Sequence, residues 1–579
     1  MKRRTFLKTL PAVPLFAETR LGGASRGAYG SQTTGGETIG LRVEATPDPL
    51  LARVVAILKD RIERRCPSRV AETDSDARIL LTADDSLPPE GFRIEEAGTA
   101  VRVAGGSTRG LLHGVGKFLR TCRFEGSFQA SSWRGTSAPH GSLRGMYFAT
   151  HFHNWYQVAS EAELARYMED VALWGVNALM VCFPFITLRD WEDPGTEVAL
   201  AMTRKYARLA KDLGLQFGIG VGNTLFTGAP ESIRATRLPD PTRRRGNSGH
   251  PICPNIPEGR TYILENTRRL FQELAEPGLD FVVSWPYDEG GCACEKCLPW
   301  GSNGFLRLSR DLTVLGREHF PKLKLILSTW MFDTPPEGEW RGLSEALAKD
   351  PGWADYILAD SHEEFPRYPL ESGVPGNLPL LNFPEISMWG NWPWGGVGAN
   401  PLPARFERLW RDVKQAVRGG FPYSEGIYED MNKAVVVQFY WDPDRSARSI
   451  LDEYITYEFG PGVAEDCHAL VGMLETAAGL SYMKQPVDAR EAERAFELAE
   501  GIRGRLPEWA RRNWRWEILH LRALLDRERF AGGGLETPAA QAALTRLVEI
   551  YHCERVTDDP YHHRVRPPLR GLSTRGKEL

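Results

Sequence analysis

The stretch LRGMYFATHFHNWYQVASEAELARYMEDVALWGVNALMVCFPF, residues 143–185, is where the fold can be read. Its first ten residues, mostly apolar and with Tyr147, Phe148 and Phe152 among them, read as a strand. Ser160 and Glu163 then stand in capping-box spacing ahead of a helical repeat that stops at Gly175. NALMVCFPF (177–185) is a second buried strand, so the unit is strand, helix, strand, and its two strands run parallel. Six more strand-like runs follow: QFGIGVG (216–222), DFVVSWPYDE (280–289), LKLILSTWMF (323–332), ADYILADSH (354–362), LPLLNFPE (378–385) and GGFPYSEG (419–426). Helical stretches such as RTYILENTRRLFQELAE (260–276) and PARFERLWRDVKQAVRG (403–419) lie between them. Eight strands alternating with helices predict an α/β fold of the (β/α)8 TIM-barrel type. An open doubly wound sheet is the alternative, but the glycine-rich dinucleotide fingerprint it often carries is missing from the chain.

Outward from the barrel, placed at 140–440, the pattern changes on both sides. Residues 38–135 read as a small α+β domain: strands LRVEA (41–45) and RILLTA (78–83), a helix over 50–65, a hairpin over 92–106, and a helix over 107–124 capped by Ser107 or Thr108. Beyond Tyr440 the strands cease and 441–579 reads as a helical region with an extended tail. The first residues, MKRRTFLKTLPAVPLFAETR, place Arg3 and Arg4 before a short, proline-broken apolar segment, the outline of a twin-arginine export signal. A Gly/Ser/Thr-rich linker completes 1–37, and the expected location is periplasmic or extracellular. That apolar segment is far shorter than the ~20 residues a membrane span needs, and no other segment qualifies. With 71 Lys and Arg against 75 Asp and Glu the net charge is −4, which offers nucleic acid or an anionic membrane no electrostatic footprint. The 17 Trp suit a pocket that stacks sugar rings, although most of them are expected in the core.

In such a barrel the chemistry sits at the C-terminal ends of the strands. Those ends carry His151 and His153 (first strand), Asn223 (third), Asp288 and Glu289 (fourth), Trp330 (fifth), Asp360 (sixth), Glu385 (seventh), and Glu425 with Tyr428 (eighth). Together with Trp389 in MWGNWPWGG (388–396), they describe a carbohydrate pocket holding an oligosaccharide or glycan. Glycoside hydrolysis requires carboxyl groups about an oxocarbenium-like centre, one of them protonated to release the leaving oxygen. Asp288 and Glu289 are adjacent at a strand mouth and are followed by two glycines, so their side chains point in different directions and can take different roles.

The Asp288-Glu289 pair, the Arg144-Gly-Met opening of the first strand and the preceding STRGLLHGVGKFLR (107–120) resemble the retaining β-hexosaminidases of glycoside hydrolase family 20. They resemble also the wider group of barrel glycosidases, including α-glucuronidases, with an N-terminal domain of this kind. The resemblance implies a hydrolase with no catalytic cofactor that removes a terminal N-acetylhexosamine or acidic sugar. It implies Glu289 as general acid, Asp288 as the residue orienting an acetamido nucleophile of the substrate, and Arg144 as a sugar ligand. Ser284-Trp-Pro-Tyr287 stands where those hexosaminidases have His-x-Gly-Gly, so Glu385 or Glu425 remains a candidate for a conventional second carboxylate.

Cys292, Cys294 and Cys297 form C-x-C-x2-C, and Cys253 lies on the loop leaving the neighbouring third strand. Four such thiolates satisfy tetrahedral zinc in a structural site; two disulfides or free thiols are the alternatives. Two other functions stand beside the glycosidase reading: a metal-dependent barrel hydrolase or isomerase using His151, His153, Asp360 and His362, and a carbohydrate-binding protein without activity.

Overall fold

A computed structural model describes residues 36–151, 154–186, 188–222, 224–238, 251–286, 291–333, 337–361, 364–387 and 399–552. The export-signal and tail readings lie outside these residues. The chain begins with strands β1 (Thr38–Glu44), β2 (Arg69–Glu72), β3 (Ile79–Ala83), β4 (Phe92–Ala97), β5 (Ala100–Gly105) and β6 (Gly135–Ser137), which form one sheet in the order β2-β1-β3-β5-β4-β6. β1, β2, β3 and β5 pair in parallel and β4 is antiparallel to its two neighbours. The helix Pro49–Glu63 starts on Asp48, whose carboxylate accepts from Leu51 N–H at 2.9 Å. The helix Thr108–Thr121 starts on Ser107 and packs both on this sheet and on the barrel helix Glu161–Leu173. Its glycines explain that double contact: a Cβ on Gly116 would stand 2.1 Å from the carbonyl oxygen of Leu173.

The barrel strands are β7 (Leu143–Phe148), β8 (Ala178–Cys182), β9 (Gln216–Val221), β10 (Phe281–Ser284), β11 (Lys324–Ser328), β12 (Tyr356–Asp360), β13 with β14 (Leu380–Phe383, Glu385–Ser387) and β15 with β16 (Val417–Gly420, Tyr423–Ser424). All pairings among them are parallel, and β7 pairs with β8 on one side and with β15 and β16 on the other, so the sheet closes. Closure rules out the open doubly wound sheet. The eight strands correspond to the eight apolar runs of the sequence, the last two each broken near a proline (Pro384, Pro422). Inside, alternate residues fill the lumen: Phe281 and Phe421 lie 5.2 Å apart near its base. Gly145 and Gly218 make room for them, since a Cβ at either would stand 2.2 or 2.3 Å from the Phe421 or Phe281 ring.

After the last barrel helix, Asp430–Trp441, the described residues form five helices of more than ten residues: Ala447–Glu458, Ala464–Tyr482, Ala489–Arg505, Trp514–Phe530 and Pro538–Ile550. Among the described residues no helix is long and apolar enough to cross a membrane.

The first sheet meets the foot of the barrel at a buried polar joint. Glu90 receives the Arg144 guanidinium, and His113 lies against Trp441 with ring centroids 5.1 Å apart. Burial, reinforced by Arg144 and Arg109 and opposed by Glu90, pushes His113 down from 6.5 to about 3. Below its ordinary value the histidine is therefore protonated only in the unfolded chain, so its contribution to stability is present above pH 6.5 and is lost as pH falls toward 3. Between about pH 7 and about pH 5 this group alone removes about 2 kcal/mol. Urea unfolding of wild type and His113→Gln at the two pH values is expected to show the wild type losing that much more; equal losses would assign the acid limb to other groups.

Candidate active site

The upper layer of the barrel lumen is aromatic. Tyr147, Trp285, Trp330, Phe383 and Tyr423 come from five different strands or strand ends and touch in sequence: Tyr147–Tyr423 at 5.6 Å, Tyr147–Trp285 at 5.7 Å, Trp285–Phe383 at 4.9 Å and Trp285–Trp330 at 5.7 Å between centroids. His151 stacks on Tyr147 at 5.7 Å, and its Nδ1 lies 2.6 Å from the Tyr147 hydroxyl. Met331, just after Trp330, has φ +66, a strained backbone for a side-chain-bearing residue of the kind found where a strand end must aim a group.

The acids stand directly above this layer by the two-residue alternation of strands. Leu358, Phe383 and Tyr423 point inward, and two residues beyond them come Asp360, Glu385 and Glu425. Glu385 and Glu425 are buried, and Tyr423 donates its hydroxyl to Glu425 Oε1 at 2.6 Å. Burial first, then the Glu425 carboxylate, with Tyr147 and Glu385 behind it, hold the Tyr423 phenol well above its ordinary value, so it remains a proton donor throughout the neutral range. Carboxylates on an aromatic floor, with a neutral phenol donor between them, can bind polyhydroxylated rings and stabilise positive charge developing on one.

Of the sequence-predicted residues, His151, Trp330, Asp360, Glu385 and Glu425 thus fall at the mouth. Tyr428 is buried beside it with its ring 5.4 Å from that of Tyr551. Asp288, Glu289, His153, Asn223 and Trp389, and His362 of the metal alternative, lie outside the described residues. The pair follows Trp285-Pro286, where the described chain is already at the aromatic layer. Arg144 is placed elsewhere, and the expectation that it holds a sugar is corrected. It is the second residue of β7, at the foot of the barrel, and it is fully buried. Its Nε donates to Gly175 O at 2.8 Å, its Nη1 to Gly141 O at 2.7 Å and its Nη2 to Glu90, while Trp441 covers its face at 5.0 Å. A guanidinium so occupied joins the first sheet to the barrel and does not face a substrate. Tyr147, Trp285, Phe383 and Tyr423 were not singled out from the sequence, although counting alternate positions back from each strand-end acid would have found Phe383 and Tyr423.

The four cysteines converge. The Sγ atoms of Cys253, Cys292, Cys294 and Cys297 all lie within 4.8 Å of one another, and among the described residues this is the group of His, Cys, Asp and Glu side chains whose ligand atoms gather as a metal requires.

No protein-family model matches the chain, and no curated protein matches it in sequence. Solved structures match it by shape. A family GH115 4-O-methyl-α-glucuronidase with specificity for decorated arabinogalactans superposes with a TM-score of 0.61 at 11% identity, covering 93% of this chain and 80% of that one. A GH138 enzyme targeting pectin rhamnogalacturonan II does so with a TM-score of 0.53 at 11% identity, covering 88% and 92%. The GH20 β-N-acetylhexosaminidase of Streptomyces coelicolor A3(2) gives 0.50 at 14% identity over 73% and 92%. The chain shares the fold of these glycoside hydrolases. The resemblance read from the Asp-Glu pair, the first strand and the preceding helix therefore holds at the level of fold, across both groups it named.

Arg144→Met separates the two roles considered for this residue. Removing the guanidinium leaves the half-buried Glu90 with Arg109 at 3.3 Å and Asn177, but strands the carbonyl oxygens of Gly175 and Gly141, and is expected to cost about 1 to 3 kcal/mol in denaturant unfolding with the sugar affinity of the remaining folded protein unchanged. Weakened sugar binding with unaltered stability would restore the sugar-ligand role.

Proposed function

We propose that the protein is an exported glycoside hydrolase that removes a terminal sugar, an acidic sugar or an N-acetylhexosamine, from a glycan, with Glu289 as general acid and Asp288 orienting the reacting sugar. The observation that carries this reading is the barrel mouth itself: three inward carboxylate positions, Asp360, Glu385 and Glu425, above a continuous floor of Tyr147, Trp285, Trp330, Phe383 and Tyr423. The strand that supplies Trp285 to the floor runs on, in sequence, to Asp288 and Glu289. In the reaction Glu289 delivers its proton to the glycosidic oxygen as the C–O bond breaks, carboxylates at the mouth offset the positive charge on the ring, and water finally adds its oxygen to the anomeric carbon while its proton restores the acid. His151, Trp330, Glu385, Glu425 and Tyr428, together with Asn223 and Trp389, are proposed to line the sugar site. The names of the structural neighbours support hydrolysis of glycans as the reaction class. The likeness to the α-glucuronidase reaches 93% of this chain against 73% for the hexosaminidase, which places an acidic sugar first in the order of trial.

Aryl hexuronides and aryl N-acetylhexosaminides, assayed for phenol release, test the reaction class; turnover of neither would remove it. Glu289→Gln is expected to lower kcat by about 10² or more on a substrate with a sugar leaving group and by much less on an aryl glycoside whose leaving group needs little protonation. Equal kcat in wild type and variant on both substrates would place the acid elsewhere. Export rests on Arg3 and Arg4. Replacing both by Lys is expected to leave the protein in the cytoplasm of its host, and unchanged secretion would refute a twin-arginine route.

A further inference from the structure

We propose that Cys253, Cys292, Cys294 and Cys297 bind one zinc ion as four thiolates, a closed structural site that fastens the loop leaving β9 to the loop leaving β10. A tetrahedron of sulfurs at ~2.3 Å from zinc has its sulfurs about 3.8 Å apart. Here all four Sγ atoms lie within 4.8 Å of one another, with Cys253 and Cys294 4.0 Å apart, and none is joined to another. Two disulfides would instead demand two pairs near 2.05 Å, with the pairs free to sit apart. Four mutually close sulfurs, three of them buried, are the arrangement a single central cation explains.

The backbone around the sulfurs is already fixed. Cys253 donates its N–H to Ile233 O and accepts from Ile256 N–H, both at 3.1 Å. In the second loop Cys297 and Leu298 both donate to Cys294 O at 2.9 Å, and Cys294 N–H points at Cys292 Sγ at 3.4 Å. Gly304 N–H holds Cys297 O at 3.1 Å, and the buried Trp300 lies flat against Gly291 and Gly304, where any Cβ would stand within 2.4 Å of its ring. Four soft thiolates select zinc over magnesium or calcium, and four protein ligands leave no position for water or substrate, so the site is structural. Binding expels four thiol protons and leaves a centre of net charge −2.

The consequence for the site rests on the glycosidase reading. Cys292 is the third residue after Glu289, so the metal fixes one side of the acid-bearing loop while Trp285 in the aromatic floor fixes the other. The metal itself is tested without any activity. The full-length protein, purified without chelator, is analysed for zinc by elemental mass spectrometry while a mercurial titrates its thiols. One zinc per chain, released only as the four thiols react, is the expected result. Cys294→Ser, at the half-buried ligand, is expected to lose zinc affinity by 10-fold or more while keeping the far-ultraviolet spectrum of the wild type. Cobalt refolded into the wild type is expected to give thiolate-to-metal charge transfer with tetrahedral d–d bands. Metal-free protein whose four thiols titrate independently, or an intact mass lower by the hydrogens of two disulfides, would overturn the proposal. Zinc binding without turnover on any glycoside would instead overturn the function and leave the metal standing.

Discussion

Asp170 accepts from two buried arginines that arrive from opposite ends of the chain. Arg61, on the helix Pro49–Glu63, reaches it at 2.8 Å, and Arg515, on the C-terminal helix Trp514–Phe530, at 3.0 Å. Each arginine is itself shared: Arg61 with Asp60 and Glu169, Arg515 with Asp430 at 2.6 Å. Flanked in this way, the Asp170 carboxyl is held down at about 2 in spite of its burial. A buried charge of this kind is tolerable only while every partner is in place, because removing one leaves another charge in a low-dielectric surrounding with nothing to offset it. The network therefore obliges the first sheet, the first and last barrel helices and the C-terminal helices to fold as one packed body. The helical region after the barrel is part of the wall rather than an appendage.

That constraint reaches the mouth through Asp430. It opens the last barrel helix, five residues after Glu425, and is held by Arg515 and by the Tyr454 hydroxyl at 2.9 Å. Around the same turn Asn432 donates to Glu429 at 2.7 Å and to Asn400 O at 3.0 Å, and Lys433 donates to the hydroxyls of Tyr156 and Tyr167 and to Gly426 O. Burial drives Lys433 down to about 7 and drives Glu429 well up. A loop built from buried polar groups, each tied to a different element, has few ways to move, so Glu425 and its Tyr423 donor are positioned by contacts that begin at both chain ends.

The barrel was legible because its evidence is periodic and local. Apolar runs such as FVVS and KLILS, separated by amphipathic helices, leave little choice of fold, and the eight strands match the eight runs. The strand-end acids were legible for the same reason. β2 and β6 were not read: RVAE and GTS are three or four residues with little apolar pattern, strands because a neighbour offers hydrogen bonds rather than because their residues demand it. The charged network was equally hidden, since Arg61, Asp170 and Arg515 look in sequence like surface residues on amphipathic helices, and only the packing of three segments buries the two arginines around a half-buried Asp170. The convergence of Cys253 with Cys292, Cys294 and Cys297 was foreseeable from strand adjacency, because β9 and β10 are neighbours and their loops must leave side by side.

The first barrel strand shows why a likeness in sequence mixes two kinds of constraint. Within eight residues it carries Arg144, which answers Glu90 at the foot, Gly145, which admits Phe421 to the lumen, and Tyr147, which with His151 belongs to the mouth. In this chain the first two make the barrel close and seat it on the preceding sheet. Only the last two stand where a substrate can be met. Here Arg144-Gly145 therefore bears on architecture, and the chemistry must be argued from residues at the other end of the same strands.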